Sequence, residues 1–245
     1  MSTLSASVVL PVNHVDGLAI SWASNTTLTV ATGTCKDSTN AFDLTLRSAT
    51  TLSSAFTGAN GLDTGTIAAA QVYAVFVIGQ STGFLPTATL LSTSLTAPIM
   101  PTGYDIFRRI GFATTVASNF IKMTQTGTNS NRTYWLDTAI SVLSGGSSAT
   151  LAAVDLSACV PAIATKVYFD ATFTPNGAGD VASLTDGSSV ATVILTLSGV
   201  VAHVAQKEQL VTLASLVSGV PKIQYLVTAS GALTLLVGAF EDYLS

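Results

Sequence analysis

Hydrophobic and polar positions alternate with a period of two along most of this chain. In AFDLTLRS, Phe42, Leu44 and Leu46 take one phase and Asp43, Thr45 and Arg47 the other. In KVYFDATFT the apolar phase is Val167, Phe169, Ala171 and Phe173, set against Tyr168, Asp170 and Thr172. Successive side chains of a strand point to opposite faces, so the pattern predicts half-buried strands. TTLTVATG, FIKMTQTG, RTYWLDTAISVL and PKIQYLVTAS read the same way, while YAVFVIG, residues 73–79, is a continuous apolar run that predicts a buried strand. The intervening TGANGLDTG, TGTNSN, PNGAGD, TDGSS and SGVPK carry the residues that turns require. Only TIAAAQ and LAAVDLS are candidates for a turn of helix each. The expected fold class is all-β with little helix.

Ser144-Gly145-Gly146-Ser147-Ser148 lies between a strand ending near Leu143 and a new apolar pattern starting at Leu151. It is expected to link an N-terminal β domain, 1–143, to a C-terminal β-sandwich domain, 149–245. Two β-sandwich or jelly-roll-like domains follow from that division, with a single domain carrying a long loop as the fallback. No repeat of fixed period is present, which argues against a propeller or solenoid.

Composition changes the picture in one respect. Of 245 residues, 48% are hydrophobic and only 9% charged, where a soluble domain ordinarily carries about 25% charged residues. The longest charge-free stretches, 223–240 and the run from Gly187 to Gln206, are interrupted by Thr, Ser, Gly, Gln or His and do not read as spanning helices. No membrane partner is expected. The N-terminus lacks the basic start and compact apolar region of a signal peptide, so synthesis in a cytoplasm is expected. A subunit whose surfaces are covered by partners accounts most economically for so few charges, because interface centres are depleted of them. Up to Leu143 six basic and six acidic residues cancel; from Ser144 onward three basic and seven acidic residues carry the whole net charge of −4. Direct nucleic-acid binding through a basic face is disfavoured. Arg108-Arg109 is the lone basic doublet, for which the plain expectation is one arginine paired inward and one solvated.

Candidate chemistry is sparse. Gly79-Gln80-Ser81-Thr82-Gly83 has the spacing of a hydrolase nucleophile elbow, in which a strained strand-to-helix turn exposes the serine. Pro86 and Pro98 bracket a Thr- and Ser-rich segment with no helical period, so no helix is expected after Ser81. His14 lies upstream; His203, in a strand-like run, makes a Ser-Asp-His order formally possible. A glycine-flanked reversal between strands is the favoured reading. Cys35 and Cys159 have no metal-ligand or CxxC spacing and are expected to be buried free thiols. KDSTNAFD lacks the ligand spacing of a calcium loop, and no cofactor is expected. The sequons at Asn25 and Asn131 read as chance matches. Trp22, Trp135 and Tyr134 are candidates for stacking in a carbohydrate-binding sandwich, although aromatics in strand patterns are more often core.

Four stretches taken together carry a resemblance: GLAISWASNTTLTVATGTCKDSTNAFDLTL, GLDTGTIAAAQVYAVFVIG, LLSTSLTAPIMPTGYDIFRRIGF and YLVTASGALTLLVGAFEDYL. They resemble virion structural proteins of tailed bacteriophages, among head-decoration and tail or fibre components. The resemblance spans most of the chain and is strongest from Gly17 to Leu143. It supplies no catalytic residue, and it implies that Arg108 and Arg109 anchor the chain near a domain or subunit contact. The Ala-Arg-Asp-Ser form usual before the first turn is Thr34-Cys35-Lys36-Asp37-Ser38 here, a departure that leaves the basic position without an inherited role.

Two functions follow as expectations. One is a noncatalytic decoration or cement subunit that bridges major capsid proteins as a homotrimer; the other is a tail or fibre component that recognises a host surface. The absence of heptads or repeats favours the compact coat subunit.

Overall fold

The computed structural model describes residues 10–128, 131–185, 193–198, 205–212, 220–228 and 231–244. Strands are the regular elements among them and no helix occurs, so the all-β expectation holds. The chain opens with β1 (Val15–Gly17), β2 (Ile20–Ser24), β3 (Thr27–Val30), β4 (Gly33–Lys36), β5 (Asp43–Leu46) and β6 (Thr50–Ser53). Next come β7 (Val72–Gly79), β8 (Ala88–Ser92), β9 (Ile106–Val116), β10 (Asn119–Phe120), β11 (Met123–Thr128) and β12 (Asn131–Gly146). The remainder holds β13 (Ala152–Asp155), β14 (Lys166–Thr174), β15 (Val181–Thr185), β16 (Val193–Ser198), β17 (Ala205–Thr212), β18 (Lys222–Val227) and β19 (Ala232–Tyr243).

These strands form four antiparallel sheets. The largest has the order β17-β14-β19-β12-β11-β2-β3-β6; the others are β1-β4-β5, β10-β9-β7-β8 and β13-β18-β15-β16. The alternation in KVYFDATFT becomes β14, with Val167, Phe169, Ala171 and Phe173 buried and the other phase partly exposed. Burying one such Val or Phe stabilises the fold by about 1.5–3 kcal/mol, which is why the register cannot slip by one residue. The apolar run of β7 is buried at every position because β8 and β9 flank it and both faces are covered. Leu44 of β5 lies so near Gly79 that a Cβ there would stand 2.4 Å from Leu44 Cδ2.

The suggested helical turns do not form. Residues 66–71 carry no regular structure, and Ala152–Asp155 is β13, paired with β18, with Val154 buried. Tertiary pairing overrides the high helix propensity of two alanines. The stretch 144–148, expected as a linker, begins with the last three residues of β12, Ser144, Gly145 and Gly146. Strands from both sides of it share the eight-stranded sheet, and one buried apolar cluster includes Val75 and Phe112 as well as Phe169 and Leu235. β12 accommodates this through register shifts against β19 between Trp135 and Ile140 and again before Gly146. Such bulges bend a long strand and raise its local twist.

One buried cation fastens the start of the chain to this sheet. Arg132 of β12 donates from Nη1 to the Leu18 and Ile110 carbonyls, at 3.1 and 2.8 Å, and from Nη2 to the Gly17 carbonyl at 2.8 Å. Gly17 and Leu18 both have positive φ, so the link between β1 and β2 turns its carbonyls toward the arginine. Buried carbonyls need partners, and charged donors are the strong ones.

Candidate functional site

The GQSTG segment is a fastened turn. β7 ends at Gly79, Gly83 has φ +74°, and its N–H donates to the Gln80 carbonyl at 2.9 Å. Ser81 donates from its backbone N–H to Asp105 Oδ1 at 2.7 Å and from its hydroxyl to Asp105 Oδ2 at 2.5 Å. The chain then runs to β8 without a helix. The Ser81 hydroxyl, then its backbone N–H, holds the exposed Asp105 carboxyl below its ordinary pKa. A carboxylate stabilised in its charged form is a poor acceptor of a serine proton, whereas a working base titrates near the operating pH. His14 is occupied elsewhere, with Nε2 3.2 Å from Thr34 Oγ1, and His203 lies outside the described residues. The KDSTNAFD segment is likewise a turn: Asp37 accepts from the Phe42 N–H at 2.8 Å and from the Thr39 N–H and hydroxyl at 3.1 and 2.6 Å. Burial alone would raise the Asp37 pKa, but these bonds outweigh it and lower it.

The arginine doublet sits on β9 beside a bulge, where Val75 faces Gly111 and Phe76 faces Arg109. Both guanidinium groups turn inward, which corrects the expectation that one would be solvated. Arg109 Nη1 donates to Asp242 Oδ2 of β19 at 2.5 Å, across 133 residues of sequence, and its guanidinium carbon lies 4.8 Å from the Phe112 ring centroid. Phe112 in turn meets Tyr134 and Phe240 edge-on, and those two rings stack at 5.0 Å. Asp242 is fully buried, its Oδ1 has no hydrogen-bond partner, and burial pushes its carboxyl above the ordinary value against the pull of Arg109. Arg108 is 4% exposed and donates from Nη1 to Asn13 Oδ1 at 3.3 Å, while Nη2 has no partner. Burial lowers the pKa of Arg108 and of Arg132. Arg109 thus ties β9 to β19 and Arg108 ties it to Asn13 before β1, beside a cleft of about 380 Å³ lined by Ser38, Thr96, Ile163, Thr165 and Tyr243.

Several large apolar residues of the first half of the chain are exposed on loops. Phe84, 88% exposed, and Leu85 lie on the β7–β8 loop, and Phe42 precedes β5. Val12 is exposed as well, and the next residue, Asn13, ties that segment to the loop before β5, accepting from Asn40 Nδ2 and donating its backbone N–H to Asn40 Oδ1. A groove of about 430 Å³ runs between β5 and this loop, lined by Leu44, Leu46, Gln80, Leu85 and Ile106 among others.

The candidates for stacking divide. Tyr134 is fully buried, and Trp22 packs against the core with Nε1 donating to the Phe120 carbonyl at 3.1 Å. Trp135 is 43% exposed on the outer face of the eight-stranded sheet, its ring 4.9 Å from that of Tyr168 at 43°. Tyr168 was missed by the sequence reading, although its place on the polar phase of KVYFDATFT, between Lys166 and Asp170, signals an aromatic turned to solvent. Comparison with known proteins adds no assignment to this geometry: no protein-family model, no curated protein and no solved structure matches the chain.

Proposed function

We propose that the chain is a noncatalytic virion structural subunit of a tailed bacteriophage, a head-decoration or cement protein that bridges major capsid subunits. The observation that carries the reading is the exposure of Val12, Phe42, Phe84 and Leu85 on loops of a chain with 9% charged residues. Apolar groups held out on loops are anchors for a protein partner, and burying them against one removes them from water. The resemblance of the quoted stretches to tailed-phage virion proteins supports the same reading. The occupied hydroxyl of Ser81 supports a role without acyl chemistry.

In this reading the charge-neutral first half faces the capsid and the acidic second half faces solvent or symmetry mates in a homotrimer. Arg109 acts by holding β9 to β19 and Arg108 by holding it to Asn13, rather than by touching the partner. A cement subunit adds buried area across seams that packaged DNA pulls apart, each of ordinary size near about 1,600 Å² in total. Particles assembled without the protein are expected to lose DNA at lower temperature, with rescue by added protein and none by a Phe84→Asp, Leu85→Asp variant. Particles that are as heat-resistant as wild type but fail to adsorb to cells refute the cement role and favour a tail or fibre subunit that recognises a host surface.

A further inference from the structure

The outer face of the eight-stranded sheet holds a feature that the assembly role does not use. Trp135 of β12 and Tyr168 of β14 both stand opposite Ala239 of β19, one on each side of it. Directly opposed residues of adjacent strands share a face, so the three form one row and the small Ala239 side chain lets the two rings approach. The row continues across the sheet in register. Thr124 faces Trp135, Ser21 faces Thr124, Thr29 faces Ser21, and Thr51 faces Thr29. From Trp135 to Thr51 it crosses four strand spacings, about 19 Å, a track of hydroxyls leading away from an aromatic pair.

The polar atoms of the pair are already committed. Trp135 Nε1 donates to Thr126 Oγ1 at 3.0 Å, and Tyr168 donates its hydroxyl to Glu241 Oε1 at 2.7 Å. Glu241 is also paired with Lys166, at 2.9 Å. These bonds fix the rings in place and leave their π faces as what they offer to a ligand. Lys122 and Asp137, near the same strand, pair with each other at 3.3 Å. The face thus presents oriented aromatic surface and hydroxyl groups, with these nearby charges answered internally.

We propose that this row is a binding site for a neutral oligosaccharide. A pyranose ring has one face of C–H groups, which packs on an aromatic surface, and a rim of hydroxyls that exchange hydrogen bonds with serine and threonine. A track about 19 Å long accepts several sugar units rather than one. A protein partner fits less well, because binding hot spots are poor in serine and threonine and the row beyond the aromatic pair is made of them. The site is flat, so a single site binds weakly, and repetition over an assembly converts weak sites into firm attachment. The inference stands on strands apart from the loops that carry Val12, Phe42, Phe84 and Leu85, so either can fail without the other.

The test is calorimetric titration of the full chain with cellohexaose, maltohexaose and chitohexaose. At least one is expected to bind saturably with a dissociation constant on the order of 1 mM. Trp135→Ala is expected to abolish that binding and Tyr168→Ala to weaken it about tenfold or more, about 1.4 kcal/mol by the standard conversion. Tyr168→Phe keeps the ring and is expected to retain binding, which separates stacking from loss of the Glu241 bond. Circular dichroism and light scattering establish that each variant keeps its fold and particle mass. Three outcomes overturn the proposal: no saturable binding of any hexaose up to about 10 mM, binding that Trp135→Ala leaves unchanged, or a Trp135→Ala variant that only changes the particle mass, which marks a subunit contact.

Discussion

Replacing Arg109 with methionine removes the guanidinium while keeping most of the apolar stem, and it isolates what the junction between β9 and β19 is worth. Asp242 would be left fully buried, with Oδ1 already unpartnered and the donor to Oδ2 gone. Arg132, directly opposite Asp242 in register, donates to the Leu18, Ile110 and Gly17 carbonyls, so that its charge at a distance and the Tyr243 backbone N–H are the weaker supports left to the carboxylate. Stranding a buried carboxylate by removing its partner costs about 3–5 kcal/mol, and the contact with Phe112 adds about 0.5–1 kcal/mol. With a urea m-value of about 3 kcal/mol/M, the unfolding midpoint is expected to fall by about 1–2 M. In the Arg109→Met, Asp242→Asn double variant no charge is stranded, so the cycle is expected to show a coupling of about 2 kcal/mol or more.

The same variant has a pH signature. Burial raises the Asp242 pKa in the fold above its unfolded value, so the folded state is the one that binds the proton more tightly. The resulting penalty is fully present above the folded pKa and disappears as pH falls below the unfolded one. Without Arg109 the folded pKa rises further, and the gap between wild type and variant is expected to narrow as pH is lowered through the variant's folded pKa. Urea unfolding followed by circular dichroism at a series of pH values measures it. A loss below about 1 kcal/mol, or a coupling near zero, refutes the claim that this pair holds the two strands together.

Three further outcomes follow from particular contacts. Ser81 is expected to resist a fluorophosphonate probe, as its hydroxyl is bound to Asp105; stoichiometric labelling that Ser81→Ala abolishes would contradict this. Cys35 and Cys159 are buried free thiols, and burial pushes each pKa up to about 12. Neither is expected to react with a disulfide reagent at pH 8 in the folded protein, while both react once the chain is unfolded in urea. Gly33→Ala would place a Cβ 2.3 Å from the Asp16 carbonyl oxygen, a backbone atom of the paired strand, and is expected to cost about 2–3 kcal/mol in the same unfolding assay.

Local periodicity decided the class of the fold. KVYFDATFT is a strand with one apolar face in sequence and in structure, and YAVFVIG is buried in both, because a period of two and an unbroken apolar run are properties of neighbouring residues. The reading of GQSTG as a turn was equally local, since it rested on the lack of a helical pattern after Ser81. What periodicity does not contain is the identity of the partner strand. Nothing in FRRIG says that Arg109 meets a carboxylate 133 residues away, and the expectation of a solvated arginine failed for that reason. Likewise Ser144 to Gly146 have linker composition, yet they continue β12, because pairing with β19 offers their backbone groups hydrogen bonds. The aromatic pair is the clearest case. Trp135 and Tyr168 each lie on the solvent phase of their own strand, but only the insertion of β19 between β12 and β14 puts them over the same alanine. A sequence specifies which face each side chain takes, and strand order, set by the packing of the whole core, specifies which side chains share it.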